Sequence, residues 1–195
     1  MRFSIFVGDI ADAPADALCT STNPRLSLMM GTGASVRRHG GPAVMRACEA
    51  LLIGNKSLPP GTAHPTTTGA LPNKVAIHCI ASDAAHRSSE AIVRSCMASA
   101  LACAHALGCT SLAAPILGTG HARLAFETAA RAMVRSAVET QSSVEHLIFV
   151  TNDDENVDPL RAILESATGQ HIEIERSEEV ESAPGSYWSF SLDAD

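Results

Sequence analysis

Aromatic residues make up 4% of the 195 positions, so a core built from large rings is excluded. Aliphatic side chains have to fill it, and the abundance of alanine points to closely packed helices. Positive charge is also scarce: 14 lysines and arginines against 21 acidic residues leave a formal net charge of -7. That balance argues against broad electrostatic capture of DNA or acidic membranes, so nucleic acid is not an expected partner. An anionic ligand has to be held by local dipoles. No Cys-x-x-Cys pair occurs among Cys19, Cys48, Cys79, Cys96, Cys103 and Cys109, all of which lie in apolar surroundings. They read as scattered buried thiols rather than a zinc cage, and neither metal nor other cofactor is expected. The start, Met1-Arg2-Phe3-Ser4, has no long apolar core or small-residue cleavage site of a secretory signal, and no apolar run approaches the roughly 20 residues that span a bilayer. The expectation is a reducing compartment without membrane contact, most simply the cytoplasm.

What is present is a repeated tripeptide. Gly31-Thr32-Gly33 and Gly118-Thr119-Gly120 each lie between an apolar stretch and a segment with helical spacing. The pattern predicts two glycine turns at two helix N-termini, where unpaired backbone N–H groups and the positive end of the helix dipole suit a pyrophosphate. Glycine lets the backbone approach phosphate oxygens closely, and the hydroxyls of Thr32 and Thr119 add possible donors.

The length suits one well-buried domain. Phe3 to Val7 and Asp16 to Thr22 read as strands, and the stretch after Gly33 as a helix, a break at Gly40-Gly41 and a second helix. Asn55 to Gly61 reads as a loop, Lys74 to Ile80 as a central strand, and Ser88 to Gly108 as a long helix with its cap and stop. Thr110 to Pro115 and Leu147 to Thr151 follow as strands, with helices over Leu124 to Val138 and Pro159 to Ala167. Alternating strands and helices imply an α/β architecture with a mostly parallel sheet covered on both faces, and ligands of such sheets gather at the carboxyl ends of strands. Residues 1–176 form the expected domain. The acidic and aromatic segment 177–195, with Tyr187, Trp188 and Phe190, reads as a tail available to a protein partner.

Five motifs then fall in order along the chain: Gly8-Asp9-Ile10, Ser21-Thr22-Asn23, the glycine-bearing loop to His39-Gly40-Gly41, Leu71 to His78, and Pro115-Ile116-Leu117-Gly118-Thr119-Gly120. In order and spacing, from about Phe3 to Asp153, they resemble the macro domain. The resemblance implies a three-layer α/β/α domain that binds ADP-ribose or an ADP-ribosylated protein. Asp9 would accept a hydrogen bond from the adenine amino group, with the Ile10 amide fixing the ring. The loop carrying Gly31, Thr32, Gly33, Ala34, Ser35 and Val36 would wrap one side of the pyrophosphate, and Gly118, Thr119, Gly120, His121 and Ala122 the other. Asn23 matches the asparagine that reaches the distal ribose, and Asn152 lies where an aromatic often stacks on adenine.

The departures bear on activity. In many hydrolases of the family the first loop carries an aspartate beside the distal ribose, and aligned from Asn23 that position falls on Gly33, which offers no general base. Met29-Met30 replaces a pair of glycines, and His121-Ala122-Arg123 stands where an aromatic often covers the ribose. A binding module for ADP-ribose is therefore the first reading. The second is a hydrolase that removes ADP-ribose from proteins or deacetylates O-acetyl-ADP-ribose, with Asn23 and His121 as catalytic candidates. The third is a nucleic-acid or protein interaction domain. Simpler roles stand beside these: Asp9 as a cap, Asn23 as a turn residue, His78 as a core histidine with one satisfied nitrogen, and Arg37 and Arg38 facing solvent or a carboxylate. Arg123 is placed close enough to the ligand to pair with a phosphate or a distal substituent.

Overall fold

The computed structural model describes residues 1–54 and 57–177. Seven strands form one sheet: β1 (Arg2–Val7), β2 (Ala17–Thr22), β3 (Ala63–Thr66), β4 (Val75–Ile80), β5 (Ser111–Pro115), β6 (His146–Thr151) and β7 (Glu173–Arg176). Five α-helices accompany them: α1 (Gly31–Gly40), α2 (Pro42–Leu52), α3 (Glu90–Ala106), α4 (Phe126–Glu139) and α5 (Val157–Thr168). The strand order is β3-β4-β2-β5-β6-β1-β7, with β3 antiparallel to β4 and every other pairing parallel.

Successive strand side chains point to opposite faces, so each inner strand feeds two cores. Phe3, Ile5 and Val7 of β1 join Leu147 and Phe149 of β6 under α3, α4 and α5, where Met97, Leu101, Met133 and Leu160 close the layer. Phe6, Ile148 and Val150 face the other way, toward Val36 of α1 and Val44 and Cys48 of α2. The result is the three-layer α/β/α arrangement expected from the alternation of elements. Ser89 caps α3 by accepting a hydrogen bond from the Ile92 N–H, and Gly41 separates α1 from α2.

Two strands were not expected. β3 contains Pro65, which has no N–H for a ladder and is tolerated on an outer strand. β7 is mostly charged and exposed, so neither alternation nor apolar content marks it, yet it pairs with β1 from Ser4↔Glu173 to Val7↔Arg176. The strand reading of β2 began one residue early, because Asp16 is a clamp rather than a strand residue. Its Oδ2 accepts from the Thr110 N–H at 2.8 Å and the Thr110 hydroxyl at 3.0 Å, and Lys74 lies 3.0 Å from Oδ1. The Thr110 N–H and Lys74 together lower its pKa to about 2. No described helix is long and apolar enough to cross a membrane. Part of the Asn55 to Gly61 loop and, beyond Ser177, the proposed tail lie outside the described residues.

Candidate functional site

A cleft of about 1210 Å³ opens at the carboxyl ends of the six parallel strands. Gly8 follows β1, Asn23 follows β2, Ala81 follows β4, Ile116 follows β5, Asn152 follows β6 and Ser177 follows β7, and all six line it. Parallel strands end together, so residues far apart in sequence reach one rim.

The first glycine tripeptide stands at the N-terminus of α1, as its sequence implied, but as the first residues of the helix and not as a turn before it. Gly31 opens the helix with φ 56, a left-handed conformation that suits glycine, and no side chain caps the helix. Among the described residues its first N–H groups are therefore left uncapped. The second loop differs from expectation: α4 begins at Phe126, so Gly118 to Gly120 form a turn that precedes the helix by several residues. The dipole of α4 is not aimed from that tripeptide. The loop instead closes on itself through Arg123 N–H to Gly120 O and Leu124 N–H to Gly118 O, both at 3.0 Å. Gly118 has φ 78, and a Cβ there would meet Ser88 Oγ at 2.6 Å.

Ser21, on β2, joins the two loops. Its N–H donates to Thr32 Oγ1 at 3.3 Å and its hydroxyl oxygen accepts from the Gly118 N–H at 3.3 Å. The Thr119 hydroxyl donates to Ile116 O at 2.9 Å, so its hydrogen is held inside the loop rather than offered outward.

Asp9 is both a cap and a cleft residue. Its Oδ1 accepts from the Ala11 N–H at 3.0 Å and from the Ser35 hydroxyl, which leaves Oδ2 without an intramolecular partner among the described residues. Asn23 is likewise a turn residue at the cleft. Its Oδ1 accepts from Arg25 N–H at 3.0 Å and Ser27 N–H at 3.3 Å, while Nδ2 has no partner among the described residues. Ile10, Gly31, Thr32, Ala34, Ser35, Thr119, Gly120, His121, Ala122 and Asn152 also line the cleft.

Gly33 and Val36 do not. Val36 is fully buried in the α1 core, and a Cβ on Gly33 would point at Leu28, 3.0 Å from its Cδ2. Helical periodicity turns these two positions away from the face that carries Gly31, Thr32, Ala34 and Ser35. Arg123 is not among the lining residues; it adopts φ 53 in the turn that closes the second loop. Arg38 lines the cleft instead, whereas Arg37 donates to Met29 Sδ at 3.3 Å. His78 is a core residue remote from the cleft, and both nitrogens are satisfied, Nδ1 with Thr20 and Nε2 with Thr66, each at 2.8 Å. Burial, with His64 nearby, depresses its pKa to about 4.

The Macro domain family profile matches residues 19–133. A macro domain-containing protein of Streptomyces coelicolor is 34% identical over 149 residues, covering 75% of this chain and 88% of that protein. The chain belongs to the macro domain family. An O-acetyl-ADP-ribose deacetylase of Citrobacter rodentium is 28% identical to this macro domain over 160 residues, covering 79% and 90% of the two chains. Among solved structures, a mutant Oceanobacillus iheyensis macrodomain with ADPR superposes with a TM-score of 0.77 at 20% identity, covering 85% and 93%. A Trypanosoma brucei macrodomain in complex with ADP-ribose gives 0.71 at 18% identity, covering 81% and 67%. Those two likenesses show the fold.

In this macro domain the cleft also gathers residues that motif reading passed over, among them Ser21, Ser82, His86, Phe126, Asn156 and Ser177. Ser21 lies inside the Ser21-Thr22-Asn23 motif, where the stretch from Asp16 to Thr22 marks it as a strand residue. His86 and Ser177 lie in segments without a motif, and only strand order brings them to the rim.

Proposed function

We propose that this cleft binds ADP-ribose, free or attached to a ligand. The observation that carries the reading is the convergence of two glycine segments on one cleft, tied together through Ser21, with the N-terminus of α1 uncapped among the described residues. In this reading a diphosphate lies between the loops and is held by main-chain amides. Hydrogen bonds to charged groups contribute roughly 1.5 to 3 kcal/mol each, and several of them, offset by ordering and desolvation, leave about 8 kcal/mol for micromolar binding. Arg38 is a cation within reach of the cleft, and the site does not depend on a basic cluster.

The open Oδ2 of Asp9 would accept from the adenine amino group beside the Ile10 amide, and Asn23 Nδ2 would donate to the distal ribose. Gly31, Thr32, Ala34 and Ser35 would flank the diphosphate on one side, and Gly118 to Ala122 on the other. Gly33 and Val36 support the first loop from behind.

Binding is favoured over hydrolysis by Gly33, whose missing Cβ faces Leu28, so a side chain at this position would not reach water in the cleft. The deacetylase relative supports a second reading in which Asn23 and His121 act on an ester or glycosidic bond at the ribose. ADP-ribose is expected to raise the melting temperature far more than AMP, because the diphosphate and second sugar supply most of the contacts. Equal small shifts would remove the reading. Turnover of O-acetyl-ADP-ribose or ADP-ribosylated protein that falls sharply in Asn23→Ala would establish hydrolysis; release no greater than from heat-killed protein would leave binding alone.

A further inference from the structure

Two imidazoles meet across the cleft. The rings of His86 and His121 lie edge to face, with centroids 4.8 Å apart and planes at 85°. Rings at that separation are in contact, and nothing passes between them. His86 belongs to the loop after β4 and His121 to the loop after β5, and β2 lies between those strands. The contact therefore bridges the end of β2, where Asn23 is placed.

Both rings are exposed, so neither is needed to fill the core. His86 nevertheless occupies a left-handed backbone conformation, φ 58, which glycine would adopt without strain. Asp83 holds it there. Its Oδ1 accepts from the N–H groups of Ala85 and Arg87, both at 2.9 Å, its Oδ2 pairs with the Arg87 guanidinium at 2.9 Å, and its carbonyl accepts from the His86 N–H at 3.0 Å. A clamped turn thus presents one ring to the self-closed glycine loop that presents the other.

We propose that His86 and His121 form a latch over the β2 end of the cleft, which selects ADP-ribose with a free or small distal end over ADP-ribose attached to a protein. The proposal rests on the reading of the cleft as an ADP-ribose site. With adenine at Asp9, the distal ribose lies under the two rings, beside Asn23. A polypeptide joined to that sugar has to leave between the loops, and the rings must part to let it.

The test is calorimetric titration of the full chain with ADP-ribose and with a short peptide carrying ADP-ribose on a serine side chain. Wild type is expected to bind the free nucleotide at least about tenfold more tightly than the conjugate. His86→Gly removes a ring where the backbone suits glycine, so its melting temperature should hold or rise while the ratio of the two affinities narrows. His121→Ala should narrow it as well. Equal wild-type affinities for the two ligands, or a ratio that neither variant moves, would overturn the latch while leaving the ADP-ribose reading intact. Failure of wild type to bind either ligand would overturn both.

Discussion

The hydroxyl oxygen of Ser21 accepts a hydrogen bond from the backbone N–H of Gly118 at 3.3 Å, while the Ser21 N–H donates to Thr32 Oγ1. A single residue on β2 therefore sets the spacing of the two glycine loops. Ser21→Ala is expected to lower ADP-ribose affinity by about fivefold, the effect of roughly 1 kcal/mol from one neutral hydrogen bond. Calorimetric titration measures it. An unchanged affinity would show that the loops are positioned independently.

Restoring an acid at the first loop should fail as a route to catalysis. In Gly33→Asp the new Cβ meets Leu28 Cδ2 at 3.0 Å and Leu28 Cα at 3.3 Å, and the carboxylate is directed into packed structure. Overpacking of this kind costs about 1 to 3 kcal/mol, so the variant is expected to melt earlier and gain no hydrolase activity. Thermal unfolding beside a turnover assay checks both halves of this prediction.

Asp9 has two separable duties. Asp9→Asn keeps an oxygen for the Ala11 N–H but turns the atom facing the cleft into a donor if that oxygen stays in place. Near-normal stability with at least about tenfold weaker ADP-ribose binding is expected, whereas Asp9→Ala should lose about 1 kcal/mol of stability as well. Urea titrations with and without nucleotide distinguish the two variants.

The fold was legible where physics writes it into periodicity. Val75 to Ile80, with six buried residues, announced a central strand, and Ser89 with the spacing from Val93 to Leu101 announced α3. β3 and β7 were not legible, because short outer strands need neither apolar alternation nor high β-propensity. The motifs at strand ends include Asp9, Asn23 and Gly118 to Gly120, all of which line the cleft. The facing of individual positions was not legible: Gly33 and Val36 share a loop and helix with Gly31 and Ala34, and only the helical phase separates core from cleft. His86 was invisible because its place depends on β4 and β5 flanking β2 in space.

His78 makes stability depend on pH. Its folded pKa of about 4 lies below the ordinary histidine value of 6.5, so below the higher value the unfolded chain binds a proton that the folded chain refuses. Stability is therefore complete above about pH 6.5 and is lost as pH falls toward 4, by on the order of 3 kcal/mol. His64 and His146, both lowered by burial, act in the same direction. Urea unfolding at pH 7 and pH 5 should show the loss, and His78→Gln should flatten the dependence.

The two margins of the sheet carry a last consequence. On one side the four residues of β3 include a proline ring without a hydrogen to donate, and on the other β7 presents Glu173, Glu175 and Arg176. Among the described residues neither margin offers a neighbouring copy a long, uncharged ladder, an arrangement that disfavours strand addition between copies.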